Sequence, residues 1–373
     1  MPETSYQLVT DQAGLNAVVD TCLKTAVIAM DTEFARFNTY YPIVGLIQIY
    51  DGSTCWLIDP LALDDLEPLA RLLTADSLLK VFHAGSEDME VFQYALDVVP
   101  SPVFDTQIAG AALGVGFSMG YQAMVEHYLQ ISLPKDQTRS DWLARPLSAG
   151  QLDYAALDVI HLLEVYSLQA DALAASGKRS WVDDECASMG QDIPTIMPPE
   201  ECYLRLKGLW QLSRRELEVL RQLCAWREET ARVENVPRNR VVDQKALLSV
   251  ARQEGLQRGD LQDLGMMPRQ VRKYGDAVIA VVGKAMAVPE ADCPQLIERT
   301  DAPVNNRKLK RLRQVVDEAA RRHSVAPELL TKRRHLEKLI RSEDASGEYH
   351  LPGELTGWRE AIVGNALLSA LTE

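Results

Sequence analysis

Five side chains carry the chemistry worth asking about. Asp31 and Glu33 stand two apart at the end of TAVIAMDTEF, residues 25–34. Tyr154 and Asp158 stand four apart in YAALD, and Asp88 closes the stretch HAGSED. On a strand, positions i and i+2 share a face. On a helix, positions i and i+4 do. Two carboxylates aimed the same way from a buried strand repel each other unless something neutralises them, and a divalent cation does so best. A strand fraying into solvent would also carry acids, so this pair alone leaves both readings open. Asp88 has its own bland explanation, because acids in a helix's first turn gain about 0.3–1 kcal/mol from the dipole. Asp158 borders an apolar stripe of Leu152, Ala155, Val159 and Leu162, and an acid there needs a cation or a donor.

These residues must be positioned by elements the sequence marks out. Thr25–Phe34 begins with an apolar run containing Val27 and Ile28, which suits a buried strand. A short strand at Tyr6–Val9 and a helix capped by Thr10 or Asp11 precede it. Ile43–Tyr50 and Thr54–Ile58 flank Asp51-Gly52-Ser53, which predicts a hairpin. The central strand and this hairpin are expected to be consecutive and mostly antiparallel. Leu79–Phe82 reads as a further strand and Glu87–Leu96 as a helix with Ser86 at its cap. Asp105 reads as another helix cap, and Ser148–Ala175 as one long helix opened by Ser148. The alternation implies crossovers and a mixed α/β sheet. His83 reads as a packing histidine or one supporting the site, since no second histidine stands at ligand spacing. The loop SDWLARPL, residues 140–147, follows Lys135 and Arg139 and includes Arg145. It is either an ordinary surface loop or an edge that steers phosphates.

Residues 177–205 lose periodicity and gain Gly and Pro, as a linker between domains does. Beyond Leu206 the pattern becomes wholly helical. Ser213–Asn235, Asp243–Glu254, Asp260–Leu264 and Pro268–Lys284 make a small bundle. Asn305–Ser324, Ala326–Ser342 and Glu360–Leu371 read as a degenerate repeat of it. Its cationic runs (Arg307, Lys308, Lys310, Arg311, Arg313, and Lys332 to Arg334) fit solvated helix faces as well as a polyanion surface.

The 373 residues allow two or three domains. Residues 1–200 hold 9 Lys+Arg against 28 Asp+Glu, a balance of −19, whereas residues 201–373 hold 30 against 25, a balance of +5. Metal-binding acids in front and a polyanion surface behind would produce that asymmetry. Six cysteines without CxxC spacing argue against a zinc site or a disulfide framework and point to a reducing cytoplasm. No run of eighteen apolar residues and no signal-peptide pattern is found.

Together the fragments DTEF, HAGSED, SDWLARPL and YAALD resemble the DEDD superfamily of 3′→5′ exonucleases, in the tyrosine subclass with Y-x-x-x-D spacing. Their order and spacing are similar to those of the ribonuclease D family. Residues 207–287 resemble the HRDC module, through Asn235-Val236-Pro237 and Lys273-Tyr274-Gly275. The resemblance implies a mixed-sheet, ribonuclease H-like exonuclease domain over 1–176, followed by all-α domains. Those are an HRDC domain over 206–290 and a degenerate second one over 291–373. It implies that Asp31, Glu33, Asp88 and Asp158 bind two divalent ions, Mg²⁺ or Mn²⁺, and that Tyr154 positions or deprotonates the attacking water. A tyrosine with an ordinary pKa of about 10 is a poor base at neutral pH, which favours the positioning role. The implied substrate is RNA, chiefly tRNA precursors with 3′ extensions, trimmed to nucleoside 5′-monophosphates by a cytoplasmic monomer with no membrane partner. Removing residues 206–373 is expected to weaken RNA binding and spare cleavage of short oligonucleotides.

Overall fold

The computed structural model describes residues 5–134, 140–190, 197–299 and 304–372. The chain forms two compact units. One gathers Met1–Phe34, Val44–Ile193 and Pro303–Glu373, and the other Ala35–Ile43 and Pro194–Ala302.

The first unit is built on a six-stranded sheet. Its strands are β1 (Gln7–Val9), β2 (Val27–Ala35), β3 (Ile43–Tyr50), β4 (Cys55–Ile58), β5 (Leu79–Phe82) and β6 (Val103–Asp105), in the spatial order β1-β4-β3-β2-β5-β6. The predicted hairpin is present: β3 and β4 pair antiparallel. Its turn is held by Asp51, whose Oδ1 accepts from the Ser53 and Thr54 N–H groups at 2.8 Å each, while Gly52 takes φ 94°. The mixed sheet is equally clear, because β1 pairs parallel with β4 and β5 pairs parallel with both β2 and β6. Ile28, Ala29 and Met30 of β2 are fully buried, as expected of a strand covered on both faces.

Among the described residues, eight α-helices of this unit precede Gly190. They are α1 (Gln12–Cys22), α2 (Glu67–Leu73), α3 (Ser86–Leu96), α4 (Thr106–Ala112), α5 (Tyr121–Leu129), α6 (Ala149–Ile160), α7 (Leu162–Ser176) and α8 (Arg179–Met189). Asp11, Asp105 and Ser148 cap α1, α4 and α6 through their side chains, as their types foretell. Two expectations need correction. The single helix over Ser148–Ala175 is two helices that change over at His161, with no Gly or Pro to mark the break. The stretch 177–205 is more than a linker, because α8 lies within it. Val182, Cys186 and Met189 recur at i, i+4 and i+7 and sit in the sheet's core.

The second unit contains α9 (Arg214–Val233), α10 (Arg238–Val241), α11 (Gln244–Ala251) and α12 (Pro268–Met286) around Leu217, Leu220, Leu247 and Val278. Ser213 opens α9 with a reciprocal capping box. Asn235 breaks the chain after α9 at φ 48°, a left-handed conformation that Asn tolerates better than most residues. The segment 35–43 belongs here too, since the Tyr40 and Tyr41 N–H groups both donate to Asn235 Oδ1 at 3.0 Å.

The last helices are α13 (Asn306–His323), α14 (Pro327–Leu330), α15 (Arg333–Arg341) and α16 (Asn365–Thr372), and they belong to the first unit. Among the described residues no helix is long and apolar enough to cross a membrane.

Candidate active site

Strand β2 delivers Asp31 and Glu33 to one face, and α6 delivers Tyr154 and Asp158 one turn apart. The fold brings these together. Asp31, Glu33 and Asp158 each offer a carboxylate oxygen within 4.8 Å of the others. The Tyr154 hydroxyl donates to the Asp158 carboxylate. Asp88 is not a member of that three-acid group among the described residues. It is held by the intervening strand residue, with Thr32 donating through Oγ1 to Asp88 Oδ1. Its charge still reaches the group, ranking just behind burial among the influences that raise Asp31.

Burial and mutual repulsion dominate the electrostatics. Asp31 is raised well above the usual carboxylate range by burial, then by Asp88, Asp158 and Glu33. Glu33 is pushed up to about 9 by burial, then by Asp158 and Asp88. Burial raises Asp158 to about 7 and Asp88 to about 6. Crowded acids that resist ionisation at neutral pH fit a site completed by cations, which would keep them ionised. An all-oxygen donor set suits Mg²⁺ or Mn²⁺ better than zinc or copper. Tyr154 is pushed far up by burial, then by Asp158, Glu33 and Asp31. It therefore keeps its proton at neutral pH.

Sequence reasoning did not foresee two walls of the cleft. Met30, Asp31, His83, Tyr121, Tyr154, Asp158 and Leu162 line a space of about 150 Å³. His83 Nε2 lies 3.0 Å from the Met119 carbonyl and Nδ1 lies 2.8 Å from Thr106 Oγ1. Burial lowers its pKa, so a neutral ring donates from Nε2 to the carbonyl and accepts at Nδ1. Its supporting role was legible, and its place on the cleft wall was not. Tyr121 donates to the Leu157 carbonyl at 3.1 Å, which steadies the turn of α6 just before Asp158. Nothing in its spacing announces this.

Of the three basic residues of the cationic loop, only Arg145 is among the described residues. Lys135 and Arg139 lie outside the described residues. Arg145 is already committed: Nε and Nη2 each lie 2.6 Å from the two oxygens of Asp59, and Nη2 also donates to the Gly45 carbonyl at 2.7 Å. A guanidinium used this fully is a brace for the hairpin and not a phosphate hook. The Ser86 cap is also corrected: Gly85 occupies the cap of α3, and Ser86 is its first helical residue.

Comparison with known proteins agrees with this geometry. A 3′-5′ exonuclease family model matches residues 6–170, an HRDC domain model residues 216–282, and a model for the C-terminal HRDC domain of ribonuclease D residues 303–367. The chain is 44% identical over 345 residues to a ribonuclease D of Pseudomonas paraeruginosa, covering 92% of each chain. It is 36% identical over 371 residues to ribonuclease D of Escherichia coli K12, covering 99% of each. The crystal structure of Escherichia coli RNase D, described as an exoribonuclease involved in structured RNA processing, superposes with a TM-score of 0.91 over 99% of both chains.

Proposed function

The chain belongs to the ribonuclease D family and is a 3′→5′ exoribonuclease, and from that premise we propose how its residues divide the work. Asp31, Glu33, Asp88 and Asp158 hold two divalent ions. Such ions supply charge neutralisation at the attacking and leaving oxygens of an in-line displacement. The observation that carries this reading is the convergence of Asp31, Glu33 and Asp158 within 4.8 Å.

The protein's own groups do the rest. Tyr154 keeps its proton and bonds to Asp158, so it orients the attacking water instead of removing its proton. His83 and Tyr121 wall the cleft, which at about 150 Å³ fits a terminal sugar-phosphate far better than a duplex end. An unpaired 3′ end is thus the substrate, and tRNA precursors with 3′ extensions supply one. The structured RNA processing ascribed to the Escherichia coli relative supports this choice. The products are nucleoside 5′-monophosphates. We assign the exonuclease domain to 1–176 with α8 as its continuation into 177–205, an HRDC domain to 206–290 and a second to 291–373. The protein acts as a monomer in the cytoplasm.

The test is hydrolysis of a 3′-extended tRNA precursor beside matched RNA and DNA oligonucleotides, with Mg²⁺, Mn²⁺ or EDTA. Stepwise shortening of the RNA with release of 5′-monophosphates, abolished by EDTA, is the expected result. Undiminished hydrolysis in EDTA would remove the metals from the mechanism, and equal rates on DNA would remove the RNA preference. Tyr154→Phe should slow the reaction about 10²-fold, in line with loss of a positioned proton-handling group.

A further inference from the structure

The turn that launches the Asp88 helix has no cap of its own. Gly85 stands at the cap of α3 without any side-chain hydrogen bond to the helix. Ala84 before it takes φ 57°, a left-handed conformation that costs a residue with a Cβ roughly 1–2 kcal/mol. A Cβ on Gly85 would lie 2.7 Å from the Phe82 side chain, so the backbone has little room to relax. In this tight turn the Gly85 N–H finds its acceptor outside the helix.

Asp105 supplies it. It ends β6 in register with Phe82 of β5 and is 1% exposed. Its Oδ2 accepts from the Gly85 N–H at 2.8 Å. Its Oδ1 accepts from the Gln107 and Ile108 N–H groups at 2.7 and 3.1 Å, capping α4. Its own N–H donates to the Cys186 Sγ on α8 at 3.2 Å. Strand β6, α4 and α8 therefore fix one carboxylate, and that carboxylate fixes the start of α3. Asp88 is the third residue of α3, less than one turn away, so a displacement of Gly85 moves its backbone relative to Thr32, which holds its carboxylate from the other side.

We propose that Asp105 is a positioning residue for the exonuclease reaction: its grip on the Gly85 N–H sets where Asp88 presents its carboxylate to the divalent ions. This deepens the reading above and rests on Asp88 being a metal-binding acid. The position demands two acceptor oxygens. Asp105→Asn keeps the shape but turns an NH₂ toward an N–H donor whichever way the amide faces, leaving α3 or α4 unsupported.

Direct Mn²⁺ binding to the full chain, followed by electron paramagnetic resonance of the free ion, tests this without relying on activity. Supports of metal ligands are typically worth about 10–100-fold in affinity. Asp105→Asn should therefore weaken the Mn²⁺ site that Asp88 serves about tenfold. Lys80→Met is the control for a merely structural effect. That ammonium sits on β5, donating to the Ala75 and Ser101 carbonyls at 2.8 and 2.6 Å, so its loss should shift Tm and leave Mn²⁺ affinity alone. Asp88→Asn separates the two layers. If it leaves Mn²⁺ binding intact, the assignment of Asp88 to a metal fails. If it removes a site while Asp105→Asn binds like the unmodified protein, the positioning role of Asp105 is overturned. Should Asp105→Asn not fold, Cys186→Ala carries the test by removing only the acceptor of the Asp105 N–H. A smaller weakening at the same site is expected, and unchanged affinity overturns the proposal.

Discussion

The two C-terminal helical modules have similar sequence textures and different structural roles. The first, α9 to α12, builds its own core in the second unit. That unit is locked by Glu228, which is fully buried among Tyr40, Arg232 and Arg238. Burial alone would raise this acid, but hydrogen bonds from Arg238, Tyr40 and Arg232 hold it down at about 2. The second module, α13 to α16, is part of the catalytic unit. Ala326 and Leu329 enter the sheet's core. The Ala326 N–H donates to the Ala111 carbonyl at 2.8 Å, and Lys178 Nζ bridges the Ala112 and Ser324 carbonyls at 2.9 Å each. Trp358 stacks on Trp181 with centroids 4.9 Å apart, and Arg359 clasps both Glu185 oxygens at 2.6 Å. Similar helical texture therefore does not imply equal separability: the last module is built into the domain that does the chemistry.

That contrast revises the expectation that residues 206–373 can be removed together without harm to cleavage. The largest predicted effect is from deleting residues 304–372. It should abolish cooperative unfolding of the exonuclease domain and with it cleavage of even short oligonucleotides. A truncated protein that still cleaves them would erase the distinction between the modules. Next in size, Glu228→Ala removes the buried acid that gathers Tyr40, Arg232 and the partly exposed Arg238. It should destabilise the second unit by about 3 kcal/mol, the upper end for lost hydrogen bonds to a charged group, while short oligonucleotides are still cleaved. Calorimetry showing that the variant melts like the parent would break the comparison from the other side. Arg359→Ala should lower the stability of the catalytic unit by about 2 kcal/mol, the scale of a lost charged hydrogen-bond pair. A shift confined to the second unit's transition would contradict the assignment of the last module.

The smallest effect sharpens the picture of the catalytic unit itself. Burial pushes Glu33, Asp158 and Asp88 up to about 9, 7 and 6, above their ordinary carboxylate values. Between those ordinary values and the raised ones, the metal-free folded state binds more protons than the unfolded chain. Its stability is therefore greatest at low pH within this window and falls as pH rises from about 4 through 9. The metal-free Tm should drop across that range, and Mg²⁺, which keeps the acids ionised, should remove the drop. A flat metal-free profile would mean that burial does not hold these acids protonated in the fold.

Much of the site was legible because its local signals are strong. The apolar run ending in Asp31 and Glu33 reads as a buried strand with acids on one face, and Ser148 announces α6 and so the Tyr154–Asp158 pair. Asp88 is marked only by its motif, since its first-turn position has an adequate local explanation. The role of Arg145 was not legible, because its partner Asp59 lies 86 residues away in the chain. Tyr121 reaches the cleft only through tertiary packing. Helix α8 had a usable signal in Val182, Cys186 and Met189, masked by the acids between them and the Gly and Pro on either side.

The central claim is that acids distant in sequence converge to hold divalent ions. The most direct measurement is anomalous scattering from a crystal soaked in Mn²⁺. Manganese peaks are expected in contact with the Asp31, Glu33 and Asp158 carboxylates. A crystal whose soaked manganese binds elsewhere and leaves these carboxylates in contact only with solvent would contradict it.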